Sequence, residues 1–204
     1  MMGEIYGEAL NGLPVEVEHA DGTRRPLNAA RWFEPIDGDE AMLSRCAGPT
    51  LDIGSGPGRL TVALSRRGVP ALGIDVAPGA VRLTRRAGGY ALLRSVFDAV
   101  PRGGRWQTAL LADGNIGIGG NPRVLLRRVR ELVRPGGEAI VEVEPRGATS
   151  RVDRMRLVHG ERAGSWFGWA VVSADDIGRV AESSGFPLTE CWQEHDRWFA
   201  ALKA

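Results

Sequence analysis

The feature that most restricts the fold of this chain is a glycine-rich turn within TLDIGSGPGRL, residues 50–60. A short apolar run around Asp52 precedes the turn, and an amphipathic helical pattern follows it directly. Gly54, Gly56 and Gly58 stand at alternate positions between the two. Glycine permits unusual φ values and lets a ligand approach the backbone, and the helix start presents unpaired N–H groups. The turn therefore predicts an α/β sheet with a ligand site outside the carboxyl ends of its strands.

Strand and helix patterns alternate after this turn, which is typical of parallel βαβ units. The later strand patterns are PALGIDV, YALLRSV, WQTALLAD and EAIVEVE, with amphipathic helical patterns between them. We expect Asn121 to cap the long helix before the last of these strands. The segment SADDIGRVAESSG predicts another helix, with Ser173 as its cap, before a closing antiparallel hairpin.

The length of 204 residues favours one domain. We divide it into an N-terminal cap segment (1–36), a ligand-binding core (48–145), an insertion (151–172), and a closing helix and hairpin (173–204). The first and third of these segments are the material available for a lid.

Composition excludes several classes of function. The net charge is +1 and Lys203 is the single lysine, so no strong field indicates nucleic acid or membrane as a partner. The two cysteines, Cys46 and Cys191, lack the spacing of a zinc site, and we expect no metal. The N-terminus lacks the pattern of a signal peptide, and no apolar run reaches the about 20 residues of a membrane span. These features predict a cytoplasmic protein.

Spacing distinguishes between possible ligands of the turn. A dinucleotide-binding G-x-G-x-x-G motif would place its third glycine where Arg59 stands. Asp75 ends the second strand about 20 residues after the turn, where an acid can accept hydrogen bonds from both ribose hydroxyls. An acid at that position repels a 2′-phosphate, which argues against NADP.

Four motifs of the chain resemble class I S-adenosylmethionine-dependent methyltransferases. They are LDIGSGPGRL (51–60), ALGIDVAPGAV (71–81), LLADGNIG (110–117) and LVRPGGEAIVEVE (132–144). The resemblance implies a Rossmann-like, doubly wound α/β fold, with a mainly parallel seven-stranded sheet and a C-terminal antiparallel hairpin. It also implies S-adenosyl-L-methionine as the cofactor.

The resemblance further implies cofactor contacts, position by position. The methionine part would lie against Asp52, Gly54, Ser55, Gly56 and Gly58. Asp75 would hold the ribose hydroxyls, and Val76 would pack against the adenine.

Two more segments complete the implied cofactor site. Val96 stands where the family often has an acid for the adenine amino group, and Phe97 can offer its backbone N–H to the ring. Asp113, Gly114 and Asn115 follow the fourth core strand, where the family places cofactor and acceptor contacts. The glycines of DGNIGIGGNP suggest a loop whose backbone those ligands approach.

Methyl transfer depends on alignment of the acceptor and the methyl group, so it requires neither a triad nor a metal. Candidates for a general base are Glu144, His159 and Tyr6. Glu144 lies near the end of its strand, and its alternatives are a solvated edge position or a salt bridge to Arg146. His159 can be an exposed or capping residue, and Tyr6 a lid residue or a packed aromatic.

We expect a methyltransferase that acts on a small-molecule acceptor, as a monomer or homodimer. Three alternatives stay open: a protein that binds S-adenosylmethionine without transferring methyl groups, an RNA methyltransferase, and an NAD-dependent oxidoreductase. The last of these is disfavoured by Arg59 and by the lack of a Tyr-x-x-x-Lys pair.

Overall fold

A computed structural model describes residues 2–204. The helices are α1 (Met2–Leu10), α2 (Asp39–Leu43), α3 (Arg59–Arg66), α4 (Pro78–Arg86), α5 (Pro122–Leu132) and α6 (Ile177–Glu182), with 3₁₀ segments at Ala29–Trp32 and Asn115–Gly120. The strands are β1 (Glu16–His19), β2 (Arg24–Pro26), β3 (Thr50–Ile53), β4 (Ala71–Asp75), β5 (Ala91–Leu93), β6 (Trp106–Leu111), β7 (Val133–Val143), β8 (Arg151–His159), β9 (Arg162–Ala163), β10 (Phe167–Val171), β11 (Leu188–Glu194) and β12 (Arg197–Lys203). No helix among these residues is long and apolar enough to cross a membrane.

The main sheet has seven strands in the order β11-β12-β7-β6-β3-β4-β5. The five strands from β7 to β5 are parallel, and β12 and β11 add an antiparallel edge. The predicted Rossmann-like α/β fold with its closing hairpin is therefore confirmed, as a mixed sheet. The strand order reverses between β3 and β6, and this reversal opens a crevice at their carboxyl ends.

The centre of the sheet is buried on both faces. All four residues of β3 are buried, as expected for a parallel strand covered by helices on each side. On one face, α5 and α6 pack against the sheet through residues such as Leu126 and Ile177. On the other face, α2 and α3 pack through Met42 and Leu64. This core fixes the strand ends that form the crevice.

A second sheet joins two segments that are distant in sequence. It has the order β10-β8-β1-β2, with β9 paired to β8. The N-terminal segment and the insertion, each expected to supply lid material, thus share one antiparallel sheet. We call this sheet together with α1, residues 2–26 and 151–171, the cover. Its core side chains, among them Ile5, Val15 and Leu157, pack against Ala77 and Ala80 at the start of α4.

The structure confirms one predicted helix cap and corrects another. The Asn121 side chain accepts a hydrogen bond from the N–H of Val124 at 3.2 Å and caps α5. The predicted cap of α6 by Ser173 is wrong, because Asp176 occupies the cap position. Ser173 instead forms a bridge with Glu144, and its N–H donates to the hydroxyl of Ser150 at 3.0 Å.

Candidate active site

The glycine turn adopts a backbone conformation that other residues rarely take. The φ angles of Gly54, Gly56 and Gly58 are +71°, +54° and +99°. A side chain at Gly54 would overlap Asn115, and one at Gly58 would overlap Thr84. The turn therefore combines left-handed backbone with close packing, and glycine meets both requirements.

Asp75 is held beside this turn by backbone groups. Its carboxylate accepts hydrogen bonds from the N–H of Gly56 at 2.9 Å and from that of Ala77 at 2.8 Å. Burial raises the pKa of this carboxyl group, and the backbone donors oppose that effect. Asp75 thus presents a carboxylate at the end of β4, next to the crevice.

Asp52 and Ser55 lie beneath the surface of the turn. The Asp52 carboxylate is fully buried and accepts a hydrogen bond from the hydroxyl of Thr61 at 2.7 Å, which ties β3 to α3. Burial raises the pKa of Asp52 to about 6. The hydroxyl of Ser55 is buried, and no hydrogen-bond partner for it occurs within residues 2–204.

The pKa of Asp52 predicts how stability changes with pH. The unfolded carboxyl group ionises near pH 4, whereas the folded one keeps its proton up to about pH 6. Wild-type protein should therefore lose stability as pH rises through this interval, by at most about 3 kcal/mol. We expect Asp52→Asn to reduce this loss in urea unfolding between pH 4 and 7. Asp98→Asn, at an exposed position, is the control. An unchanged slope in Asp52→Asn would contradict the prediction.

Apolar side chains are exposed on the loops that follow β4 and β5. Val76 is 48% exposed and Phe97 is 42% exposed, whereas Val96 is only 3% exposed and packs in the core. The N–H of Phe97 donates to the hydroxyl of Ser95 at 3.2 Å. Val76 and Phe97 therefore offer apolar surface to a planar ring, and Val96 contributes its side chain to the core.

The loop after β6 is locked to the glycine turn. The side-chain amide of Asn115 donates to the carbonyl groups of Ile53 at 2.9 Å and Gly54 at 3.0 Å. Asp113 has a φ of +52°, and its N–H donates to a carboxylate oxygen of Glu142 at 2.5 Å. Gly114, with a φ of +78°, follows directly. These contacts join the carboxyl ends of β3, β6 and β7 into one rim.

Two glycines in this loop allow the cover to pack closely against it. A side chain at Gly117 would begin 2.4 Å from the carbonyl oxygen of Ala170, and one at Gly120 would begin 3.0 Å from the backbone of Gly168. The expectation that these glycines let ligands approach the backbone is therefore corrected at both positions. They let β10 lie directly against the loop.

A buried ion-pair network lies under the rim; it consists of Asp39, Arg59, Asp113, Glu142 and Arg197. Arg59 bridges Asp39 and Asp113, the latter at 2.6 Å. Arg197 bridges Asp39 at 2.9 Å and Glu142 at 2.8 Å. Three carboxylates face two guanidinium groups, so the network has one excess negative charge when all five are ionised. One carboxylate oxygen of Asp113 is buried without a hydrogen-bond partner among the described residues.

A small cavity of about 70 Å³ opens at the end of β7, between the loop after β6 and β10. Its lining includes Gly114, Ile116, Glu142, Glu144 and Trp169. The Glu144 side chain is exposed, and within residues 2–204 its carboxylate forms no ion pair or hydrogen bond. Of its two alternatives, the salt bridge to Arg146 is wrong, because Arg146 contacts Asp175 at 2.9 Å. The exposed side chain agrees with the other, a solvated edge position.

The other two candidate bases lie in the cover. His159 contacts the carbonyl oxygen of Pro14 through Nδ1 at 2.5 Å and so ties β8 to the N-terminal segment. Tyr6, on α1, has its hydroxyl 3.3 Å from where a side chain at Gly56 would begin. Burial, and after it the charges of Asp75 and Asp113, raise the pKa of Tyr6. Tyr6 therefore stays protonated at neutral pH and can donate a hydrogen bond over the glycine turn.

Comparison with known proteins finds partial relatives in sequence. No protein-family model matches the chain. Over 92 residues it is 36% identical to the release factor glutamine methyltransferase of Rhodospirillum rubrum, covering 44% of this chain and 27% of that protein. Over 106 residues it is 29% identical to a mouse (Mus musculus) lysine N-methyltransferase named for an ATP synthase component, covering 49% and 41% of the two. The chain thus spans less than half the length of these curated relatives.

The structural likeness extends over almost the whole chain. A SAM-dependent methyltransferase from Bacteroides fragilis, crystallised with S-adenosyl-L-homocysteine, superposes with a TM-score of 0.81 at 21% identity. The match covers 98% of this chain and 93% of that one. The resemblance indicated by the four sequence motifs is confirmed: the chain has the fold of the class I S-adenosylmethionine-dependent methyltransferases.

Proposed function

We propose that the chain transfers the methyl group of S-adenosylmethionine to a small-molecule acceptor. The observation that carries this proposal is the crevice itself. Three left-handed glycines and the carboxylate of Asp75 meet there, at the point where the strand order reverses. That is the place where open α/β sheets bind their ligands.

The residues of the crevice fit this cofactor. Gly56 has no side chain, so a ligand would contact its backbone beside the hydroxyl of Tyr6, which lies 3.3 Å from the first side-chain position. Asp75 would accept hydrogen bonds from the ribose hydroxyls. Val76 and Phe97 would pack against the adenine. The Asp113 oxygen that has no hydrogen bond, 3.7 Å from the guanidinium group of Arg197, would accept a hydrogen bond from the α-ammonium group.

The remaining residues proposed for the cofactor site would hold the glycine turn and its neighbouring loop in position. Asp52 and Gly58 hold β3 and α3 in place. Ser55 has a free buried hydroxyl at the same turn. Gly114 and Asn115 keep the loop after β6 against it.

When bound, the cofactor supplies an electrophilic methyl group on a sulfonium centre. The chain would orient the acceptor and exclude water, and such alignment can supply about 7–11 kcal/mol of a barrier. The cover is placed for this role, because Tyr6 lies over the glycine turn and β10 lies against the loop after β6.

A small acceptor is favoured by the shape of this rim. The cover packs against the start of α4, beside the end of β4, and would restrict the approach of a folded protein. The cavity at the end of β7 has room only for a small group. The net charge of +1 offers little attraction to RNA. The monomeric or homodimeric state stays a prediction.

Asp75→Ala tests the cofactor site. We expect the substitution to weaken S-adenosylmethionine binding by roughly 1.5–3 kcal/mol, because a hydrogen bond to a charged group is lost. Titration calorimetry measures the change, and circular dichroism shows whether the variant folds. Asp21→Ala, in the exposed turn between β1 and β2, is the control.

Three results would contradict the proposal. Tighter binding of NAD than of S-adenosylmethionine by wild type would favour an oxidoreductase. Cofactor binding without transfer of a tritiated methyl group to any acceptor would leave a binding protein. Salt-dependent RNA binding would instead favour an RNA substrate.

A further inference from the structure

We propose that the methyl acceptor is an amine, and that its nitrogen binds Glu144 in the cavity at the end of β7. This inference rests on the proposed function. It concerns the acceptor only, and the proposed cofactor site is tested separately.

The cavity lies where an acceptor could reach the proposed cofactor site. Glu142, Val143 and Glu144 at the end of β7 form one side, and β10 forms the other with Trp169. Gly114, one residue after Asp113, belongs to the same lining. The cavity therefore adjoins the loop that we assign to the cofactor. An acceptor group inside the cavity would lie beside that loop.

The charges around the cavity favour a cation. Both oxygens of Glu142 accept hydrogen bonds from Arg197, at 2.9 and 2.8 Å, so this carboxylate is already paired. Glu144 has no such partner among the described residues. None of the residues that line the cavity is basic. An acidic acceptor would meet the unpaired carboxylate of Glu144 there, whereas an ammonium group would find its counter-ion.

Trp169 supplies a second contact suited to an amine. Its ring meets Phe167 edge-on, with 6.3 Å between ring centroids, which fixes its orientation. A cation within about 6 Å of an indole face is stabilised by the ring quadrupole. Glu144 and Trp169 line the same cavity and would offer an amine inside it one charged and one aromatic partner.

The chemistry at this site balances. The bound ammonium group gives one proton to the carboxylate of Glu144 and becomes a neutral amine with a free electron pair. That pair forms the new N–C bond to the methyl carbon, while the C–S bond breaks and its electrons return to sulfur. The products are an N-methylated ammonium group and a neutral thioether, and the proton on Glu144 leaves to solvent.

Acceptors that share a phenethyl group and differ in its polar substituent test the inference. We would incubate wild-type protein with tritiated S-adenosylmethionine and phenethylamine, 2-phenylethanol or 3-phenylpropionate. Binding of each compound to the protein saturated with S-adenosylhomocysteine would be followed by tryptophan fluorescence. We expect the amine alone to bind and to accept the methyl group.

A lysine-containing peptide tests whether the amine belongs to a protein, and methylation of the peptide but not of phenethylamine would overturn a small-molecule acceptor.

Glu144→Gln tests the residue. It should lower kcat/KM for the amine at least tenfold and weaken amine binding by a similar factor, with S-adenosylhomocysteine affinity within twofold of wild type. Glu161→Gln is the matched control, since it removes the same charge at the exposed turn before β9.

The outcomes separate the two proposals. Failure of wild type to bind S-adenosylmethionine or its product would overturn the proposed function. Cofactor binding with transfer only to the alcohol or the carboxylate would overturn the amine inference alone. So would amine methylation that is unchanged in Glu144→Gln, or the lack of both amine binding and methylation.

Discussion

Replacing Arg197 by methionine should lower the free energy of unfolding by about 3–5 kcal/mol, the range found when one partner of a buried ion pair is removed. The guanidinium group of Arg197 contacts both Asp39 and Glu142, and its side chain is only 10% exposed. Methionine keeps much of the side-chain volume, so the loss reports the unpaired carboxylates rather than a cavity. Urea denaturation measures it.

Arg146→Met is the control for this prediction. Arg146 also forms an ion pair, with Asp175, but its side chain is 59% exposed. Exposed pairs typically contribute about 0–1 kcal/mol. Equal losses in the free energy of unfolding for the two substitutions would mean that Arg197 stabilises the protein no more than a surface ion pair does.

Gly56→Val should abolish measurable cofactor binding, a loss of at least about a hundredfold, or 2.7 kcal/mol. Valine is strained at a φ of +54°, and its side chain would point to the space beneath the hydroxyl of Tyr6, 3.3 Å from the first carbon. That space is part of the proposed crevice. Titration calorimetry with S-adenosylhomocysteine measures the loss.

Gly68→Val separates backbone strain from loss of the site. Gly68 has a φ of +76°, and a side chain there would meet no atom within 4 Å. We expect both variants to lose stability through strain, of the order of 1–3 kcal/mol, and Gly68→Val alone to keep its cofactor affinity. A folded Gly56→Val protein with normal affinity would exclude the glycine turn as the cofactor site.

Local patterns predicted most of the main sheet. The apolar runs around Leu51 and Ile140 indicate buried strands, and the glycines between β3 and α3 indicate the turn. Asp75 was found because its distance from the turn is fixed by the length of one βαβ unit. In each case the signal lies within a few tens of consecutive residues.

The buried network could not be predicted in the same way. Asp39, Arg59 and Arg197 belong to three segments that meet only after the sheet has formed. In the sequence, Arg59 was notable only as the residue that replaces a motif glycine. Arginine–carboxylate pairs between distant segments leave no periodic pattern, so the sequence held no signal that selects these partners from the other charged residues.

Two interpretations failed because tertiary contacts overrode a local preference. Ser173 has the right residue type for a helix cap, but its backbone is engaged in the bridge to Glu144. Gly117 stands in a loop that suggests a ligand site, but β10 occupies the space beside it. Both contacts come from the insertion and its junction with the core, whose partners the sequence did not identify.

The pairing of β1 with β8 bears on the order of folding. Glu16 is the register partner of Val158, so two stretches separated by the whole parallel part of the main sheet are neighbours in space. Closing so long a loop carries a large entropic penalty, which is recovered only after the intervening residues have compacted. On the ribosome, β1 must wait until the five parallel strands have been synthesised before its partner β8 emerges. During folding, the main sheet should therefore gain protection from hydrogen exchange before the strands of the cover do.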